Sequence, residues 1–156
     1  MNFKSCYRNP MNRLALGFFI AALVCFGVFH FVSIDGNPGA KGWAVWSELF
    51  HFIKRGAWRY MNPKFAFGFG SFLGMAILTL SGPFLFPVVG GSRLVRWVLT
   101  FFSFAILAGF GVFMVMRSPV PGLWWLLVSQ ILNFIGFLCL RSLKPEKTAP
   151  TFPPAE

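Results

Sequence analysis

The stretch that decides the fold is residues 65–92, FAFGFGSFLGMAILTLSGPFLFPVVGGS, where 28 consecutive residues carry no formal charge. A helix needs about 20 apolar residues to cross the hydrocarbon core of a bilayer. A charged side chain at the centre of such a helix costs about 2.5–3.5 kcal/mol on insertion scales, so transmembrane segments exclude charges. The stretch therefore predicts a membrane-spanning helix at residues 65–85, with its last turns broken or kinked by Gly82, Pro83 and Pro87.

Three more uncharged windows flank this stretch. They contain 21, 20 and 23 residues and follow Arg13, Arg96 and Arg117, respectively. Because the windows are apolar on every side, they indicate helices rather than the alternating strands of a β-barrel. We therefore expect an all-α integral membrane protein, a four-transmembrane-helix bundle. The predicted spans are residues 14–34, 65–85, 97–116 and 120–140.

The composition supports the same class. The chain has 156 residues, of which 56% are hydrophobic and 12% are charged, about half the charged fraction of soluble domains. Its apolar and aromatic content excludes an intrinsically disordered protein. The 14 Lys and Arg against 4 Asp and Glu give a net charge of +10, and the charges flank the apolar windows. We therefore expect a bilayer with anionic headgroups as their partner, and no nucleic acid.

The ends of the chain are expected to lie outside the membrane domain, which we place at residues 14–143. Residues 1–13 form a basic tail, and residues 144–156 form a Pro-rich tail that we expect to be disordered. A secretory signal is the alternative interpretation of the first window. Its apolar run is longer than the usual run of about 7–15 residues and lacks a cleavage site, so an uncleaved span is favoured.

The distribution of Lys and Arg gives the orientation. With four spans, 8 of these residues fall on the side of both termini and 6 on the other side. The positive-inside rule then places both termini in the cytoplasm, by a small margin. We expect the bacterial inner (plasma) membrane as the location.

The long loop between the first two predicted spans contains an amphipathic segment at residues 43–60. Aromatic and aliphatic side chains recur along it at intervals of 3 and 4 residues, as on one helical face, and basic side chains fall mainly opposite. This pattern is typical of a helix that lies in the membrane interface, and Gly56 is expected to end or bend it. A re-entrant helix, or one covered by a partner, is the alternative. The predicted interface residues are Trp43, Trp46, Phe50, Ile53, Lys54, Arg55 and Arg59.

Small residues recur at intervals of four in three of the predicted spans, where they let a neighbouring helix approach closely. We expect them to pack helices within the bundle, and a dimer face is the alternative. They are Gly17, Ala21, Ala66, Gly70, Gly74, Ala105 and Gly109.

Polar side chains inside the spans are few and neutral. Ser129, Gln130 and Asn133 fall on one side of the fourth span. We expect them to hydrogen-bond across helices, at about 0.6 kcal/mol each. A pathway for a small neutral solute is the alternative.

The sequence shows no motif for catalysis. The predicted spans contain no Asp, Glu, Lys or Arg, which argues against the intramembrane carboxylate of proton-coupled pumps. His30 and His51 stand in unlike settings, and we expect no catalytic residue, cofactor or metal. We therefore expect a non-enzymatic accessory or structural subunit that assembles with other membrane proteins or with itself. The alternative is an oligomeric channel or carrier for a small neutral solute that uses polar residues of the fourth span.

Overall fold

The computed structural model describes residues 9–33, 41–56, 63–116 and 121–140, and every element within them is an α-helix. The predictions for residues 1–8, 57–60 (with Arg59) and 144–156 lie outside these ranges. The helices are α1 (Pro10–Phe31), α2 (Gly42–Lys54), α3 (Pro63–Gly91), α4 (Arg93–Met116) and α5 (Pro121–Cys139).

Four of the helices, α1, α3, α4 and α5, are long and apolar enough to cross a membrane. The predicted all-helical class and the four apolar segments are thereby confirmed. The loop contains a helix as predicted, but α2 ends at Lys54 rather than residue 60. The cause is Gly56, whose φ of 65° lies in the left-handed region that favours glycine.

The α1 helix begins four residues before the predicted span because its N-terminus is capped. Asn9 Oδ1 accepts a hydrogen bond of 3.0 Å from the backbone N–H of Met11. Pro10 occupies the first helical position, where its missing N–H costs nothing. Asn12 and Arg13 therefore lie in the helix and not in a tail before it.

The α3 helix continues through Gly82, Pro83 and Pro87 to Gly91, so the predicted break in its last turns is wrong. A proline inside a helix removes one backbone hydrogen bond and usually bends or ends the helix. Packing holds these turns in place, because Phe86 and Val89 are buried in the core.

The four long helices pack around a common core, in the order α1, α3, α4, α5. Neighbours in this order run antiparallel, and the most extensive contact joins α1 to α5, the first and last helices. The α4 helix packs on both α3 and α5, and α2 lies against the C-terminal end of α1.

Phe19 of α1 is fully buried between two glycines from different helices. A Cβ atom added at Gly82 of α3 would lie 3.1 Å from its ring, and one at Gly136 of α5 would lie 2.8 Å from it. Phe137 meets the ring edge-on, with 4.9 Å between centroids. Three helices therefore meet at one aromatic ring because two of them lack side chains there.

We expect Gly136→Ala to destabilise the fold by about 1–3 kcal/mol, the usual cost of overpacking a core. The physical reason is that Phe19 cannot retreat from the new methyl group without meeting Gly82. The matched control is Gly17→Ala in α1, where nothing lies within 4 Å of the added Cβ. Thermal unfolding in mild detergent, followed by tryptophan fluorescence, measures both variants. An equal loss of stability in the two would contradict this account of Phe19.

Candidate functional site

The polar side chains predicted on the fourth span, Ser129, Gln130 and Asn133, are fully buried. They lie near the middle of α5, and each reaches a different neighbouring helix. Together with their partners Thr79 and Ser103, which are also buried, they are called the polar centre below.

Hydrogen bonds of the polar centre join α5 to the other three long helices. Ser129 Oγ donates to the carbonyl oxygen of Ala22 in α1 at 2.8 Å. Gln130 Nε2 donates to the carbonyl oxygen and to Oγ of Ser103 in α4, both at 3.0 Å. Asn133 Nδ2 donates to Thr79 Oγ1 in α3 at 2.6 Å. Little more than one turn of α5 therefore ties all four long helices together.

The side-chain amide oxygens of Gln130 and Asn133 accept no hydrogen bond within the polar centre. Gln130 Oε1 and Asn133 Oδ1 are buried, and no donor in the described part of the chain reaches them. A buried carbonyl without a donor costs about 1–3 kcal/mol. These two atoms mark the part of the polar centre that helix packing alone does not explain.

A second group of side chains holds α2 against the end of α1. Trp46 Nε1 donates a hydrogen bond of 2.7 Å to His30 Nε2, and His30 Nδ1 lies 2.7 Å from the carbonyl oxygen of Phe26. An indole N–H can only donate and a carbonyl can only accept, so His30 accepts at Nε2 and donates from Nδ1. The two rings are nearly parallel, with 6.1 Å between centroids.

Gly42 allows α2 to come this close. A Cβ atom at this position would collide with the carbonyl oxygen of Phe29 in α1, so no other residue fits without a shift of the backbone. Phe72 of α3 completes the contact, with its ring 5.1 Å from that of Trp46. Gly42, Trp46 and His30 are called the α2 anchor below.

Sequence reasoning missed the α2 anchor. The spacing of 3 and 4 residues grouped Trp46 with the interface residues, whereas the structure turns it toward α1 and α3. A signal was present in His30, a lone polar ring near the end of an apolar span. Its partner lies 16 residues away across a loop, and helical periodicity carries no information on that pairing.

The other described interface residues of α2 are exposed. Trp43 and Phe50 keep 56% and 66% of their surface, and Ile53 lies beside them. At about 100° per residue, Trp43 and Phe50 lie within about 20° of each other and Lys54 projects beside them, whereas Ile53 falls close to the direction of Trp46, two turns later. The exposed apolar side chains of α2 therefore border the direction in which Trp46 contacts the long helices.

Two of the predicted packing residues lie between helices. A Cβ atom at Gly74 of α3 would lie 2.8 Å from the side chain of Ile106 in α4. Gly109 of α4 lies directly against the ring of Phe67 in α3. These glycines bring α3 and α4 together.

The other predicted packing residues lie in different surroundings. Gly17 and Gly70 have nothing within 4 Å of an added Cβ atom, and Ala105 is exposed. Ala21 is half-buried, and the side chain of Ala66 lies outside the described part of the structure. The small residues therefore serve both the interior and the outer surface.

Arg96 makes a contact that the sequence did not reveal. Its Nη1 donates to the carbonyl oxygen of Leu140 at 3.1 Å, which ties the start of α4 to the end of α5. A cation is favourable at a helix C-terminus, where carbonyl groups lack partners. In the sequence, Arg96 stood out as a flanking charge of the third span and no more.

Within the described ranges, no three His, Cys, Asp or Glu side chains lie together as a metal site would require. Comparisons with models of protein families, with curated proteins and with solved structures found no match. The role of the chain must therefore be inferred from the polar centre, from α2 and from the outer surface.

We expect Trp46→Phe to loosen α2, because phenylalanine keeps a ring against Phe72 but cannot donate to His30 Nε2. Losing a hydrogen bond worth about 1 kcal/mol should speed amide exchange in residues 42–54 about fivefold. The control is Trp43→Phe, which removes an exposed indole from the same helix. Hydrogen–deuterium exchange followed by mass spectrometry gives the readout. Equal exchange rates in the two variants would show that the hydrogen bond from Trp46 to His30 does not hold α2 in place.

Proposed function

We propose that this chain is an integral membrane protein in which α1, α3, α4 and α5 form a four-transmembrane-helix bundle. The outer surface supports this proposal, because large apolar side chains are exposed along all four helices. Such a surface is unfavourable in water but suits contact with lipid. One example from each helix is Ile20, Ile77, Phe101 and Val128.

The positions of the charges support the same proposal. Arg13, Arg93 and Arg96 stand at one end of the four long helices, and Lys54 and Arg55 of α2 stand at the other. The middle of the described structure is uncharged. Charged ends and an uncharged middle are typical of a protein that crosses a bilayer.

We propose that α2 lies in the membrane interface. Its exposed apolar side chains, Trp43, Phe50 and Ile53, are suited to the boundary between headgroups and acyl chains. Lys54 and Arg55 are exposed as well and are suited to anionic headgroups. The α2 anchor supports this placement, because it fixes which face of α2 is left open.

For the bundle as a whole, we propose a non-enzymatic role as an accessory or structural subunit that assembles with other membrane proteins or with a second copy. The polar centre is the observation that carries this proposal. Its side chains donate hydrogen bonds between helices, which supports a role in holding the helices together. The buried side chains in the described ranges include no Asp, Glu, Lys, Arg or His, the usual general acids and bases.

The outer surface of α1 offers a place for a partner helix. Gly17 is open and exposed, and Val24 lies on the same face two turns later. Small residues allow two helix backbones to approach closely in a bilayer, where packing rather than the hydrophobic effect drives association.

We expect Gly17→Leu to reduce the yield of the assembled complex about tenfold, equivalent to a loss of about 1.4 kcal/mol of association free energy. The unfolding temperature should stay the same, since Gly17 has no neighbour to clash with. Crosslinking in native membranes and the mass of the full-length protein in mild detergent measure assembly. The control is Val24→Leu, which alters the same face of α1 but adds no side chain at Gly17, where the partner helix is proposed to come closest. A wild-type chain that remains monomeric in crosslinked membranes would refute the assembly role.

For orientation, we propose that both termini lie in the cytoplasm of a bacterial inner (plasma) membrane. A tag inserted within residues 35–41 should then react with an impermeant label added outside intact spheroplasts. A tag placed after Glu156 serves as the control and should be protected. If the first tag is protected and the second one reacts, the topology is the reverse.

The alternative function, an oligomeric channel or carrier for a small neutral solute, stays a prediction. A pore between copies requires polar groups on the outer face of α5. Ser129, Gln130 and Asn133 instead face the interior of a single chain. A solute that uses these groups has to reach them between α3, α4 and α5.

A further inference from the structure

The two amide oxygens left over in the polar centre indicate a binding site. Gln130 Nε2 contacts the carbonyl oxygen of Ser103, which can only accept, so this amide cannot be turned the other way. Its Oε1 is therefore held in an orientation in which no donor of the described residues reaches it. Asn133 Oδ1 is also buried and lacks a donor. Its amide meets the hydroxyl of Thr79, which can donate or accept, so one polar atom of this amide is left over in either orientation.

Both oxygens belong to one junction between helices. Gln130 and Asn133 are three residues apart in α5 and project from the same face. Gln130 reaches α4, and Asn133 reaches α3. The α3 and α4 helices pack on each other where Gly74 meets Ile106. The two amides therefore line the junction of α3, α4 and α5.

The chemistry of the two atoms selects the ligand. Gln130 Oε1 is an acceptor, so a molecule that binds it has to donate a hydrogen bond, and an anion is excluded. A cation would bring an unbalanced charge to the middle of an apolar bundle whose predicted spans contain no Asp or Glu. A small neutral donor remains. A water molecule can donate to Gln130 Oε1 and can donate to, or accept from, the Asn133 amide.

We propose that the junction of α3, α4 and α5 binds one small neutral molecule that donates a hydrogen bond to Gln130 Oε1 and forms a second one with the Asn133 amide. Water occupies this site in the resting protein. A buried water typically makes about three hydrogen bonds with polar groups that would otherwise stay unpaired. The hydroxyl groups of Thr79 and Ser103, which contact the two amides, offer the third.

Gln130 gives direct access to this site because it is the only glutamine in the chain. Labelling glutamine side chains with ¹⁵N therefore yields the amide signals of one residue. The full-length protein is placed in nanodiscs of deuterated lipid, and magnetisation transfer from water to the Gln130 amide protons is measured in the laboratory and rotating frames. Transfer that changes sign between the two frames reports a bound water, whereas proton exchange keeps one sign.

We expect sign-changing transfer to Gln130 in the wild-type protein and its loss in Asn133→Leu, which removes the second amide of the site. The control is Ser129→Ala, which keeps both amide oxygens and should retain the transfer. If Asn133→Leu does not fold, Thr79→Val takes its place, because it removes the group that orients Asn133.

Two results would overturn the proposal. One is a folded wild-type protein without sign-changing transfer to Gln130. The other is undiminished transfer in Asn133→Leu. Neither result bears on the assembly role, which the crosslinking of the wild-type chain and Gly17→Leu tests separately.

Discussion

The structure depends on one constraint: a helix surrounded by apolar neighbours and an apolar outer surface has to satisfy its polar groups within the chain. The α5 helix meets it in part, because Ser129, Gln130 and Asn133 each donate a hydrogen bond to a different helix while the two amide oxygens are left over. Apolar contacts alone leave a helix free to rotate or slide against its neighbours. The hydrogen bonds of α5 fix its depth and rotation, and with them the positions at which Phe19 and the glycines of the core meet.

Helix α2 is likewise positioned by a small number of contacts. One hydrogen bond from Trp46 to His30 and the close approach of Gly42 orient the whole helix. The orientation leaves Trp43 and Phe50 open. Trp46 shares one helical face with these side chains, and the α2 anchor determines which part of that face is covered. The surface proposed to meet the membrane is thus determined by a contact made inside the protein.

The sequence predicts the helical class and the four apolar segments, because the exclusion of charge is a property of each segment alone. It fails where a neighbour decides the outcome. Packing of Phe86 keeps α3 helical beyond two prolines, and Trp46 turns inward to meet a histidine from another helix. The positions of the polar residues of α5 follow from the sequence, but their hydrogen-bond partners do not. The same limit applies to Gly70 and Gly74, which belong to one four-residue pattern. A Cβ atom at Gly74 would meet Ile106 of α4, whereas one at Gly70 would have nothing within 4 Å.

The slot that receives Phe19 is built from distant parts of the chain. One wall is Gly82 in α3, and the other is Gly136 in α5. During synthesis, α1 is made long before α5, with which it forms its most extensive contact. Contacts between distant parts of a sequence delay folding until the intervening chain is in place. A chain cut short before α5 therefore leaves α1 without that contact, which makes the synthesis of α5 the step that completes the slot.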